Sequence, residues 1–174
     1  MHLRKFLPAV GVCLALLTTS CGDNKPKTRT YPMGQRAQLG HLIYTVFETQ
    51  WLTHLGEGTA QRVPQSRFFL VRMSITNGGP SEAAAPALTL LADNGDVVPE
   101  LTNGEGVPQW IGALRQIKPA ETLQGNVLFD AAPRQYKMQV ASEHDEMQAF
   151  IEIPLSFNAE TPEVPLPGSA VERK

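Results

Sequence analysis

Phe68-Phe69-Leu70-Val71-Arg72-Met73-Ser74-Ile75-Thr76 alternates cleanly. Phe69, Val71, Met73 and Ile75 fall on one side, and Arg72, Ser74 and Thr76 on the other, which is the period of a strand buried on one face. Asn77-Gly78-Gly79-Pro80 then stops it with turn residues. The same texture extends both ways. Upstream, Leu42-Ile43-Tyr44-Thr45-Val46-Phe47 is β-branched and aromatic. Downstream, Ala87 to Leu91 leads through Asp93-Asn94-Gly95-Asp96 to Val97 and Val98, a hairpin signature, because Asn-Gly readily supplies positive φ. Val127 and Phe129 share a face, Tyr136, Met138 and Val140 alternate with Lys137 and Gln139, and Ile151, Ile153, Leu155 and Phe157 alternate with Glu152 and Ser156. Short strands with one wet face, punctuated by Gly and Pro, predict an all-β antiparallel sandwich of about seven strands. One helical turn is expected, at Trp110-Ile111-Gly112-Ala113-Leu114, capping an end of the sandwich.

The ends of the chain read differently. A basic start (His2, Arg4, Lys5), an apolar run from Phe6 to Leu17 and small residues before Cys21 have the layout of a secretory signal. The stretch Leu17-Thr18-Thr19-Ser20-Cys21 resembles a bacterial lipobox, which implies cleavage before Cys21, a diacylglyceryl group on its thiol and acylation, typically with palmitate, of the new amino terminus. A soluble-secretion cut near the same place is the alternative. A retained membrane span is not expected, because the run falls short of the roughly 20 residues a bilayer core demands and Pro8 interrupts it. The division expected is a signal peptide over 1–20, a lipidated flexible tether over 21–31, the sandwich over 32–157 and a proline-rich mobile tail over 158–174. That tail is expected to be solvated, with a proline-rich ligand for some partner as the alternative. Gly22, with Asp23 only after it, favours the outer membrane of a two-membrane cell by resemblance to sorting in enteric bacteria.

Within the body, an ordered set of motifs is similar to a known family. The set is Gly34 and Gly40-His41-Leu42-Ile43-Tyr44-Thr45-Val46, Arg67 to Asn77, the Leu88 to Pro99 hairpin, Ile117-Lys118-Pro119-Ala120-Glu121, and Gln124-Gly125-Asn126-Val127-Leu128-Phe129-Asp130. It resembles an uncharacterised bacterial family of immunoglobulin-like domains found in lipoproteins and in a small secreted antigen. The resemblance spans about Pro32 to Phe157 and implies an immunoglobulin-like sandwich and an extracytoplasmic compartment. It brings no catalytic residues. Where members often carry Gly after the turn proline, this chain has Ala120.

Charge and cysteine usage narrow the chemistry. Removing residues 1–20 takes away Arg4 and Lys5 but no acid, leaving 13 basic against 17 acidic residues, a net of −4. Nucleic acid and anionic membrane surfaces, which demand a concentrated positive face, are therefore not expected partners. Cys13 belongs to the signal and Cys21 to the lipid, so the mature body has no thiol for a nucleophile, a zinc site or a redox couple. No Gly-x-Ser-x-Gly occurs, and Ser66, Ser74, Ser81 and Ser142 sit in strand or loop contexts. The expectation is no enzyme and no cofactor.

The remaining candidates are aromatic, cationic and acidic. Trp51, after the first strand, and Trp110, beside Pro108, either plug the sandwich or anchor a partner. Arg115 has Glu100 or Glu105 as a potential carboxylate partner. Glu143-His144-Asp145-Glu146 reads as a charged hairpin tip; as metal ligands, Glu143, His144 and Glu146 are weak candidates, since no His-x-x-x-His spacing supports them. Asp93-Asn94-Gly95-Asp96 lacks the later bidentate Glu of a calcium loop. The leading function expected is a non-catalytic envelope lipoprotein whose loops bind a protein or small ligand, with the membrane as its anchor. The alternative is a metal or solute carrier using His41, His54 or the 143–146 turn.

Overall fold

The computed structural model describes residues 28–155. The expected signal segment, Cys21 and the expected tail over 158–174 lie outside them. The described chain is all-β, with eleven strands, a single 3-10 turn at Gly58–Ala60 and no α-helix among the described residues. The strands are β1 (Arg29–Pro32), β2 (Ala37–Leu39), β3 (Leu42–Leu52), β4 (Phe68–Asn77), β5 (Ala83–Ala85), β6 (Thr89–Ala92), β7 (Val97–Pro99), β8 (Arg115–Ile117), β9 (Thr122–Asp130), β10 (Tyr136–Ala141) and β11 (Gln148–Ile153). One sheet runs β1-β11-β10-β6-β7, the other β2-β3-β4-β9, and β5-β8 form a separate ribbon. Strand pairing is antiparallel except between β1 and β11. The chain crosses from β4 to β6, returns to place β9 beside β4, and crosses again to place β10 beside β6. This is a Greek-key, immunoglobulin-like sandwich. Tyr136, at the start of β10, donates its hydroxyl to Ala132 O at 2.8 Å, the tyrosine corner that such folds place where the chain changes sheets.

The inner faces follow the alternation read in β4. Phe69, Val71, Met73 and Ile75 are buried, and they meet Tyr44 and Val46 of β3, Leu90 of β6, Met138 of β10 and Ile151 of β11. Each such side chain contributes about 1.5–3 kcal/mol by leaving water. With both cysteines before residue 22, burial and backbone pairing hold the body together. Asn77 is fully buried at the end of β4, where its Nδ2 donates to Ser81 O and Ile117 O while its Oδ1 accepts the Gly79 N–H. A strand that ends in Asn is thereby tied to the loop that follows it and to β8.

Several expectations are corrected. The strands outnumber seven because β1, β2, β5 and β8, each three or four residues long, are too short to show a period. β1 starts at Arg29, so the domain begins three residues before the expected boundary at 32. The stretch 110–114 is not helical. Its start lies along the open edge of β9, where Asn126 N–H donates to Gln109 O at 2.9 Å and Ile111 N–H to Asn126 O at 3.2 Å. Gly125 permits this approach, since a Cβ there would fall 2.0 Å from Gln109 O. The outer face of the β2-β3-β4-β9 sheet is not wet throughout either: Phe68, Leu70 and Leu128 form a second apolar cluster with Leu55 and Val107. At the 93–96 hairpin only Gly95 has positive φ (88°), and Gly95 N–H donates to Ala92 O, so the loop is a three-residue turn with a glycine bulge rather than a two-residue Asn-Gly turn.

The registers sort the loops into two groups. The chain start at Arg29, the Gly40-His41 turn, the 78–82 loop, the 118–121 turn and the 142–147 tip gather at one end, here the entry end. The loops 53–67, 93–96 and 131–135 gather at the opposite, exit end.

Candidate functional site

Trp51 lies inside β3 rather than after it. The register of β3 against β4 slips between Val46 and Glu48, so Phe47 is an extra, bulged residue. Before the slip, Leu42, Tyr44 and Val46 face inward; after it, Thr49 and Trp51 do. The bulge thus turns Trp51 into the sandwich, where its ring stacks on Phe69 with centroids 4.1 Å apart and lies 6.5 Å from Tyr136. Trp51 plugs the exit end of the core.

Arg115, expected among the binding residues, is corrected to an interior position at 2% exposure. Its guanidinium is paired with the buried Glu100 carboxylate, the first of the two partners considered. Glu100 Oε1 also accepts the Leu88 N–H at 3.1 Å, so the pair fastens β8 to the start of the β6–β7 hairpin. Such a pair specifies geometry more than it adds stability, because desolvation of both charges offsets their attraction. Tyr44 is buried nearby, with its hydroxyl donated to Ala141 O at 2.8 Å; burial pushes its phenol well above the usual range, and the Arg115 charge opposes this in part.

Trp110 stands at the surface. It pairs with Asn126 in a parallel bridge, and its ring lies so close against Gly104 that a Cβ there would fall 1.9 Å from Trp110 Cδ2. The residue remains 36% exposed. Asn126 Nδ2 donates to Pro108 O at 2.7 Å and fixes the entry to this loop. Leu114, four residues on, is 97% exposed, a feature that the helical reading of 110–114 concealed.

Glu143 to Glu146 form the tip between β10 and β11, closed by Ser142 N–H to Met147 O and Asp145 N–H to Ser142 O. Glu143 Oε2 accepts the His41 N–H at 3.3 Å, and the His41 ring lies 3.9 Å from Oε1. A hydrogen bond from its own backbone N–H, that from His41, and the nearby imidazoles hold the Glu143 carboxyl below its ordinary value. His54 sits on the 53–67 loop at the exit end and shares no site with His41 or His144. Among the described residues, no three His, Cys, Asp or Glu side chains come together as a metal-binding group.

Two cavities flank the tip. One, of about 400 Å³, is lined by His41, Ser81, Glu82, Gln116, Glu143 and His144, among others. The larger, of about 450 Å³, is lined by residues of β1 and β2, the end strands of the two sheets, and by the 145–148 segment that leads into β11. Leu39, Tyr31 and Met147 supply its apolar surface, and Arg29, Asp145 and Glu146 its charges. Sequence reading missed it, because its walls come from strands too short to recognise.

No family model matches the chain, and no curated protein matches it. Among solved structures it is similar to the yjhA protein of Bacillus subtilis, with a TM-score of 0.56, 12% identity, and coverage of 71% of this chain and 98% of that one. It is also similar to the secreted protein MPT63 of Mycobacterium tuberculosis, with a TM-score of 0.50, 12% identity, and coverage of 74% and 98%. A third similar structure is ycdA of Bacillus subtilis, a predicted lipoprotein, with a TM-score of 0.50 and 11% identity; 69% of this chain matches 38% of that one. At these identities, what the chain shares with all three is the β-sandwich fold.

Proposed function

We propose that this chain is a lipid-anchored, non-catalytic module of the cell envelope whose immunoglobulin-like domain binds another envelope protein through the loop from Trp110 to Leu114. The observation that carries this reading is a loop fixed at its start, by backbone bonds to β9 and by the stacking on Gly104, that nonetheless presents an indole and a leucine to solvent. A rigid aromatic with an aliphatic neighbour is the kind of anchor on which interfaces concentrate their energy. The anchor and the compartment are supported by the Leu17 to Cys21 motif, and an outer-membrane destination by Gly22 and Asp23. Pulldown from solubilised membranes with the full lipoprotein tests the surface. Trp110→Ala and Leu114→Ala should each weaken capture of the same partner while leaving the urea midpoint near that of the wild type. Loss of folding with Trp110→Ala would retire it as an anchor. Cys21→Ser should release the protein from membranes or leave it uncut, and recovery in the inner membrane on a density gradient would exclude the outer one.

A solute carrier is the second reading, and the 450 Å³ cavity favours it, since that volume lies within the range of about 300–1,000 Å³ typical of small-ligand sites. A metal carrier would use the same end of the sandwich through His41 and the 143–146 turn. Equilibrium dialysis against divalent ions that finds no binding below the millimolar range would remove it.

A further inference from the structure

Glu100 and Arg115 mark the two ends of the loop that carries Trp110. Glu100 directly follows β7, Arg115 opens β8, and their buried side chains meet at the base of the loop between them. The contact is two-pronged: Arg115 Nη1 donates to Glu100 Oε1 at 3.1 Å, and Nη2 pairs with Oε2. Glu100 Oε1 is held in turn by the Leu88 N–H, and Arg115 Nη1 reaches Pro86 O at 3.5 Å. A planar fork on a carboxylate admits one relative orientation, so it sets the two ends of the 101–114 loop in direction as well as in distance.

The exposures beside this pair run against hydrophobic order. Leu114, 97% exposed, directly precedes a buried arginine, although leucine is commonly inside and arginine outside. Arg115 Nε has no hydrogen-bond partner among the described residues, so the pair is not arranged for greatest stability. What it achieves is placement. Arg115 and Ile117 turn inward along β8, so Gln116 and, just before the strand, Leu114 stand outside. Upstream, Ile111 N–H is bound to Asn126 O, and only Gly112, Ala113 and Leu114 lie between that fixed point and Arg115. The other arm of the loop is held by Arg62, which donates to Asn103 O and Glu105 O. We infer that the Glu100–Arg115 pair is a positioning device for the proposed recognition loop, holding Leu114 in solvent so that a partner meets a surface already ordered. This rests on the Trp110 reading and not on either cavity. A loop ordered in advance costs less to fix on binding, so loss of the pair should appear in local order and affinity rather than in stability.

Hydrogen–deuterium exchange with mass spectrometry on the full-length lipoprotein in detergent reads the local order, and the membrane pulldown reads capture. The main variant is Glu100→Met with Arg115→Met, which replaces both charges by apolar side chains and leaves neither one buried alone. Its urea midpoint should equal or exceed that of the wild type. The amides of residues 112–116 should nonetheless exchange about tenfold faster or more, with those of β4 unchanged, and capture should weaken. Arg115→Lys, which keeps the charge but not the fork, should speed exchange over the same residues. Wild-type exchange over 112–116 in both variants would show a loop ordered without the pair, and would overturn the inference. So would faster exchange with capture undiminished, or exchange that accelerates equally in β4, which would make the pair a general core contact. If Trp110→Ala and Leu114→Ala leave capture intact, the recognition reading fails and the inference with it. Exchange is measured without any partner, so its result keeps that failure distinct from a failure of the pair to order the loop.

Discussion

Ala120 occupies a backbone conformation made for glycine. Glu121 N–H donates to Lys118 O at 3.0 Å, Pro119 sits second in the turn, and Ala120 sits third with a φ of 59°. A turn with Pro at its second position and positive φ at its third is of type II, where Gly avoids a steric cost of about 1–2 kcal/mol. Ala120→Gly should therefore raise stability by about 1 kcal/mol, somewhat reduced by the greater freedom of glycine in the unfolded chain. A urea midpoint that falls would refute the strain. Glu143 makes a second prediction at this scale, through pH. Its folded-state carboxyl is held below the ordinary value, so its ionised form contributes stability above the unfolded carboxylate range, and that contribution is lost as pH falls through the folded value. Glu143→Gln should be the less stable protein at neutral pH, and the two melting curves should converge on acidification. A gap that persists in strong acid would mean the carboxylate's charge is not the cause.

At the scale of elements, legibility followed length and period. β4 could be read because ten residues of alternation leave little choice of face, and the Asn94-Gly95 hairpin because its turn chemistry is local. β3 was read only to Phe47, since the bulge there inserts one residue and reverses which side chains point inward. Trp51 looked like a loop residue for that reason. Trp110, Ile111 and Leu114 imitate a helical turn by spacing, but the open edge of β9 captures Gln109 and Ile111 first. The interior place of Arg115 did have a signal, because β8 puts it on the same face as the fully buried Ile117, with the exposed Gln116 between them. The bulge offers a test. Deleting Phe47 and Glu48 together removes the bulged residue and one paired residue, which should swing Thr49 and Trp51 outward and cost about 3–5 kcal/mol, as removal of a core aromatic does. Phe47→Ala, at a residue 47% exposed, should stay within about 0.5 kcal/mol. Similar urea midpoints for the two variants would contradict the phase change.

At the scale of the whole molecule, the direction of the chain favours an orientation. Six residues lie between Cys21 and Thr28, and the seven steps from one to the other span at most about 25 Å when fully extended. With the proposed anchor in place, the entry end and its 142–147 tip face the bilayer, while the 93–96 hairpin faces away. The body holds no thiol, so His144→Cys and Asn94→Cys can each be labelled singly in lipoprotein reconstituted into vesicles. Energy transfer to a headgroup dye should be efficient from position 144 and weak from position 94, and the reverse order would invert the orientation. The parallel pairing of β1 with β11 then acquires a mechanical meaning. With the proposed lipid in place, a partner held elsewhere on the domain would pull against it through β1, and the pull would run along the strand from its first residue. Arg29, Thr30, Tyr31 and Pro32 lie against Ala149, Phe150, Ile151 and Glu152, so the load falls across that short ladder in shear. Its bonds must yield together rather than peel apart one at a time, and β1 serves the tether as a cleat.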